Sequence, residues 1–313
     1  IYKSKKKEKI MEFLVDNYLI KFFLSIKEYG GPKYGVILMA LVGGLFTWIL
    51  TAIGASLVFF FKAADRKVLD MCLGFTGGVM IAASFWSLLS PAIDIAEVQK
   101  IEGISSLPKW FAPAVGFFLG ALFIYFLDKK IPHLHLFDDI KKAEGPKTDL
   151  KKTELLILAI ALHNIPEGLA VGVAFGAFAH PELMKLTEPG TTEALFTLGP
   201  AIALAIGMGI QNAPEGFAVS MPLRRHGMSR LKSWQWGQMS AIVEPIFAVI
   251  GAALVINMFF ILPYALAFAA GAMIFIVVEE VVPESQSGGN TDIATMGLIL
   301  GFIIMMILDV SLG

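Results

Sequence analysis

The sequence predicts an all-α polytopic membrane protein, and three observations carry that prediction. Of 313 residues, 56% are hydrophobic and only 16% charged, against about 25% charged in a soluble domain. Mean hydropathy is +0.72, more apolar surface than a globular core could hide, so lipid must solvate much of it. Apolar runs of about 20 residues, the length a bilayer core demands, recur along the whole chain. That recurrence favours one membrane domain over two soluble ones.

Eight runs read as spanning helices, at roughly 34–61, 68–93, 111–128, 153–178, 194–222, 234–256, 259–283 and 292–312. Gly and Pro are frequent within them, which membrane helices tolerate. The stretch 10–28 is apolar but carries Asp16, Lys21 and Lys27. It is a ninth, poorer span or an interfacial amphipathic helix; the span is preferred. Cys72 is the single cysteine, which excludes an intrachain disulfide and a cysteine-rich metal site. The basic start lacks the compact apolar stretch and cleavage site of a signal peptide.

Orientation follows from the short loops. Lys62, Arg66 and Lys67, the lysines at 129, 130, 141, 142, 147, 151 and 152, and Arg224, Arg225, Arg230 and Lys232 fall on one side. Only Lys100, Lys109 and Lys185 fall on the other. Fourteen against three makes the first side cytoplasmic, and puts the C-terminus outside. The cluster Lys3, Lys5, Lys6, Lys7 and Lys9 is then inside only if the ninth span exists. Trp110, Trp234 and Trp236 at helix starts read as interfacial anchors.

The expected organisation is a basic N-terminus and extra helix (1–33), helices one to three (34–128), a cytoplasmic loop (129–152), helices four and five (153–222) and helices six to eight (223–313). The loop contains His133-Leu134-His135 and Asp138-Asp139. A solvated linker is its default reading, and transient metal handling the sharper one. Asp94 and Glu97 on one side, and Glu279, Glu280 and Glu284 on the other, are an outer funnel and inner relay or ordinary interfacial acids.

A nine-residue motif, His163-Asn164-Ile165-Pro166-Glu167-Gly168-Leu169-Ala170-Val171, recurs as Gln211-Asn212-Ala213-Pro214-Glu215-Gly216-Phe217-Ala218-Val219. More weakly, Gly78-Val79-Met80-Ile81 resembles Gly271-Ala272-Met273-Ile274. In the expected topology each pair runs in opposite directions, as in transporters with a central site between inverted repeats.

The eight spans carry no Lys or Arg in their interior but hold Glu167, Glu215 and Glu244. A charged side chain at the bilayer centre costs about 2.5–3.5 kcal/mol even on insertion scales. These acids therefore call for protonation, water or a bound cation. His163 and Glu167, four residues apart, share a helix face with Asn164; Gln211, Asn212 and Glu215 repeat the arrangement. Pro166 and Pro214 leave the carbonyls of Leu162 and Ile210 without their helical donors.

Counting from the basic edge, His163, Gln211, Glu244 and Met80 lie at similar depths, roughly 16–20 Å at a rise of 1.5 Å per residue. Imidazole, carboxylate and thioether together suit Zn²⁺ and its neighbours better than Mg²⁺ or Ca²⁺. The residues thus point to a carrier of divalent transition metals rather than an enzyme. An intramembrane metal-dependent hydrolase is the alternative, but no H-E-x-x-H pair is present. A proton-coupled carrier of organic ions leaves Met80 and His163 without a task. Nothing suggests a nucleic-acid partner.

The doubled motif, Met80 on a Gly-rich second helix and the Glu244-Pro245 step resemble the ZIP (Zrt-, Irt-like protein) metal transporters. The likeness is to their prokaryotic, GufA-like branch, which includes a Bordetella member. It covers residues 34–313, with the extra N-terminal helix also found there. The resemblance implies eight core helices in a 3+2+3 inverted-repeat arrangement. It implies a binuclear site, with a first metal held by Met80, His163, Glu167, Gln211 and Glu215. A second would take Asn164, Glu167, Asn212, Glu215 and Glu244. It further implies Zn²⁺ uptake across the inner membrane by alternating access, in homodimers, with Cd²⁺ as surrogate and Fe²⁺, Mn²⁺ or Co²⁺ as further cargo. Some relatives carry aspartate where this chain has Asn212, and the lost charge is expected to weaken the second site.

Overall fold

The computed structural model describes residues 18–61, 65–134, 144–150, 152–180, 193–225 and 227–312. The lysine cluster at 3–9, Lys62, His135, Asp138, Asp139, Lys141, Lys142, Lys151, Lys185 and the first part of the 10–28 stretch lie outside them. Among the described residues the chain is helical without a strand; one isolated bridge joins His133 to Glu144.

Among these described residues nine helices follow in order: α1 (Tyr18–Ala55), α2 (Arg66–Ile101), α3 (Phe111–Lys130), α4 (Lys152–Ala177), α5 (Glu193–Arg225), α6 (Arg230–Met239), α7 (Val243–Val255), α8 (Phe259–Gln286) and α9 (Thr291–Leu312). Among the described residues seven segments are long and apolar enough to cross a membrane: Lys33–Phe59 (α1 beyond its bend, with the turn that follows it), α2, α3, α4, α6 with α7, α8 and α9. The chain is therefore an all-α polytopic membrane protein. Helix α5 is not among the seven, yet at 33 residues and 1.5 Å per residue it is long enough to cross. It packs against α1, α2 and α9.

Local chemistry sets the ends and breaks. Asp65 accepts from the Lys67 N–H at the start of α2, and Ser229 from the Lys232 N–H at the start of α6, relieving first-turn amides that lack helical acceptors. Gly31 breaks α1 at φ 74°, a backbone region that costs only glycine nothing. Beyond it, Gly35 lies so close to the Lys27 backbone that a Cβ would collide. The chain therefore bends sharply instead of continuing straight. Residues 18–30 form a separate helical arm, whose Phe23 ring stacks 4.9 Å from that of Phe175 on α4.

The bundle divides by its contacts. Helix α2 packs along α9 and α3 along α8; α1 packs along α5 and α4 along α7. The two groups meet mainly where α2 crosses α5 and α4 crosses α8. Small residues permit the closest approaches: Gly168 and Gly172 abut the backbone of Glu244 and Ala248, and Gly54 abuts Ala213.

Two irregular turns break the ladders of α2 and α8. A π segment covers Ser84–Leu89 in α2 and another covers Val277–Val281 in α8. Each begins six residues after the first glycine of the weaker sequence repeat, Gly78 and Gly271 respectively. Similar sequences thus carry the same backbone irregularity, often a mark of a functional position in a helix.

Candidate metal-binding site

Three helices bring these acidic and amide residues together, and a fourth adds Met80. Glu167 and Asn164 on α4 are buried, as are Gln211 and Asn212 on α5; Glu215 on α5 is 9% exposed and Glu244 on α7 is fully buried. Met80 on α2 is 1% exposed. A narrow cavity of about 30 Å³ is bordered by Met80, Thr76, His163, Glu167, Glu215, Glu280 and Glu284, among others. That is the space of a single water molecule, and equally of one partly dehydrated ion.

Hydrogen bonds link the amides to the acids. Gln211 Nε2 donates to Glu167 Oε1 at 2.6 Å and to Asn212 Oδ1 at 3.3 Å. Asn212 Nδ2 in turn sits across the Glu244 carboxylate, 2.9 Å from Oε1 and 2.8 Å from Oε2. Thr76 Oγ1 donates to the Gln211 carbonyl at 3.3 Å, tying α2 to α5 at this level. Three oxygens remain without a donor: Asn164 Oδ1, Glu167 Oε2 and Gln211 Oε1. A buried oxygen left without a partner costs about 1–3 kcal/mol. Three in one place form an acceptor set suited to a cation.

Glu244 is positioned by a break that the sequence conceals. The span expected over 234–256 is one membrane-capable segment, Arg230–Val255, but its helix is interrupted, α6 ending at Met239 and α7 beginning at Val243. Asn164 Nδ2 donates to the Ser240 carbonyl at 3.1 Å, filling one valence that the interruption exposes. Pro245, in the first turn of α7, where its missing N–H costs nothing, was the available signal.

His163 is turned to a partner that was placed at the interface. Its Nε2 lies 2.6 Å from Glu280 Oε2, and Glu280, inside the α8 π segment, is only 6% exposed. Glu280 therefore belongs with the site, while Glu279 is exposed. Asp309 was also overlooked among the intramembrane acids. It is 7% exposed on α9 and accepts from Ser87 Oγ at 2.5 Å.

In the 129–152 segment the solvated-linker reading fails for its first part: His133 and Leu134 are buried. His133 Nε2 pairs with Asp128 Oδ1 at 2.9 Å, and Glu144 joins them with one donor atom each within 4.8 Å. Trp234 is tied down rather than merely anchored in an interface, since its indole N–H donates to the Ala52 carbonyl at 3.0 Å.

Fold and site together define an intramembrane carrier of divalent cations: polytopic helices around a buried cluster of carboxylates, amides, imidazole and thioether. Residues 196–309 match the family model described as ZIP Zinc transporter. The chain is 39% identical to the zinc transporter ZIP11 of Homo sapiens, over 88% of this chain and 98% of that protein. It is 34% identical to the zinc transporter GufA of Myxococcus xanthus, over 87% and 98%. Against the zinc transporter ZIPB of Bordetella bronchiseptica it is 34% identical over 88% and 81%. The chain belongs to the ZIP family of metal transporters.

Proposed function

We propose that the protein carries Zn²⁺ toward the cytoplasm, by alternating access around the midplane cluster. Met80, His163, Glu167, Gln211 and Glu215 hold the ion, with Asn164, Asn212 and Glu244 completing the polar surround. The observation that carries this reading is the set of donorless oxygens on Asn164, Glu167 and Gln211, with Glu167 in the wall of a small cavity. Zinc is favoured by the imidazole–carboxylate donor set and by the relatives, which are named zinc transporters. Cd²⁺, Fe²⁺, Mn²⁺ and Co²⁺ have compatible ligand preferences.

Alternating access has a natural division in the two helix groups, which meet at the cavity. The 129–152 segment faces the cytoplasm, and the C-terminus lies outside an inner or plasma membrane. The unit in that membrane is a homodimer. The sequence divisions at 1–33, 34–128, 129–152, 153–222 and 223–313 serve this cycle as arm, helices one to three, loop, metal-bearing pair and helices six to eight.

Zinc influx into proteoliposomes, with Glu167→Ala and Glu215→Ala alongside the unchanged chain, tests the proposal. Influx is expected only for the unchanged chain, and equal rates in all three would defeat it.

A further inference from the structure

Glu167 and Glu244 share one interior, yet only Glu167 has an oxygen with no hydrogen-bond donor. Glu167 Oε2 and its neighbour Gln211 Oε1 have no donor. Both oxygens of Glu244 are already engaged by Asn212 Nδ2, at 2.9 and 2.8 Å. Met80, His163, Glu167 and Glu215 border the cavity, whereas Asn164, Gln211, Asn212 and Glu244 are not in its wall.

The amide cannot simply turn over to offer its oxygen. Asn212 Oδ1 accepts from Gln211 Nε2 at 3.3 Å, and Nδ2 reaches the Thr47 carbonyl at 3.4 Å besides Glu244. Reversal would set Oδ1 against two carboxylate oxygens and a carbonyl, and one NH₂ group against another. Every contact would become donor-to-donor or acceptor-to-acceptor. The polarity Gln211 to Asn212 to Glu244 is therefore fixed, and it holds the Gln211 amide nitrogen away so that its oxygen stays open.

We propose that the site takes one divalent cation per chain, and that the Asn212 amide occupies, against Glu244, the position a second cation would need. This rests on the metal-transport reading above. Asn212 is then a determinant of stoichiometry: it satisfies Glu244 with N–H groups where an aspartate would oppose two carboxylates and require a bridging ion.

The test is zinc bound per chain, measured by elemental analysis of the purified full chain in detergent after saturation with zinc and removal of the excess. The unchanged chain is expected to hold one zinc, Asn212→Asp two, and Asn212→Asp combined with Glu244→Gln one. Two zincs on the unchanged chain overturn this inference and leave the transport reading standing. None on the unchanged chain overturns both. A folded, monodisperse Asn212→Asp protein that still holds one zinc overturns the role given to Asn212. The unchanged chain decides the ion count even if that variant fails to fold.

Discussion

His163 Nε2 on α4 and Glu280 Oε2 on α8 lie 2.6 Å apart, and this contact joins the two helix groups at the cavity that both residues border. A ring nitrogen that bonds a carboxylate cannot at the same moment donate its lone pair to a metal. Zinc bound at Nε2 must displace Glu280 from His163 or take it along as a ligand, whereas zinc at Nδ1 would leave Glu280 as the partner that orients the ring. Glu280→Ala removes the competitor. Zinc affinity is expected to rise about tenfold, since a hydrogen bond to a charged group contributes about 1.5–3 kcal/mol and water recovers part of it. Competition with a zinc-chelating dye measures this; weaker binding would instead make Glu280 a ligand or the orienting partner of a His163 that binds through Nδ1.

That contact also marks where sequence reasoning reached its limit. Glu167 and Glu215 were legible because a nine-residue motif repeats around them, and an acid in an apolar run is conspicuous. Glu280 sits near the end of its run beside Glu279 and Glu284, where acids are ordinary. Only the π segment at Val277–Val281 turns it inward, and an inserted residue in a helical ladder has no composition signature. The gap between α6 and α7 was hidden similarly, because Ser240, Ala241 and Ile242 contain no breaker. The spans themselves were readable because lipid imposes a length on each of them.

The α4–α7 seam depends on absent side chains. A Cβ on Gly172 would meet the Ala248 carbonyl and Cα, backbone atoms that cannot move aside cheaply. Overpacking a close contact of this kind costs about 1–3 kcal/mol. Gly172→Ala should lower the unfolding temperature in detergent by several degrees. It should also weaken zinc binding, because α7 carries Glu244 and α4 carries Glu167. An unshifted melting curve would show that the seam relaxes without loss.

Asp70 is the hub of a polar lock between the start of α2 and the turn joining α8 to α9. It is fully buried and takes Arg66 Nε at 2.6 Å and Asn290 Nδ2 at 2.8 Å. Arg66 Nη2 continues to Ser287 Oγ at 2.7 Å and to the Glu284 carbonyl at 3.2 Å. Asp70→Ala removes the acceptor beneath a partly buried guanidinium. Breaking a buried pair costs about 3–5 kcal/mol, and the 25% exposure of the Arg66 side chain puts this one at the low end. Chemical unfolding should register a loss of about 3 kcal/mol; a loss under about 1 kcal/mol would assign the pair to ordinary surface electrostatics.

Metal removal should be visible in stability alone, without any flux assay. A ligand that binds only the folded chain stabilises it by RT ln(1 + [L]/Kd), about 2.7 kcal/mol at a hundredfold excess over Kd. The donorless oxygens of Glu167 and Gln211 give that energy a physical source, because the ion fills acceptors the fold leaves empty. Zinc at that excess should therefore raise the unfolding temperature, and a chelator should return it to its starting value. Glu167→Gln combined with Glu215→Gln should melt at the same temperature with and without zinc. Glutamine keeps the shape and burial of each side chain while removing its charge, so loss of the zinc response would be electrostatic in origin. A zinc-induced rise that survives in the double variant would move the binding site elsewhere, with the Asp128–His133–Glu144 group the first place to look.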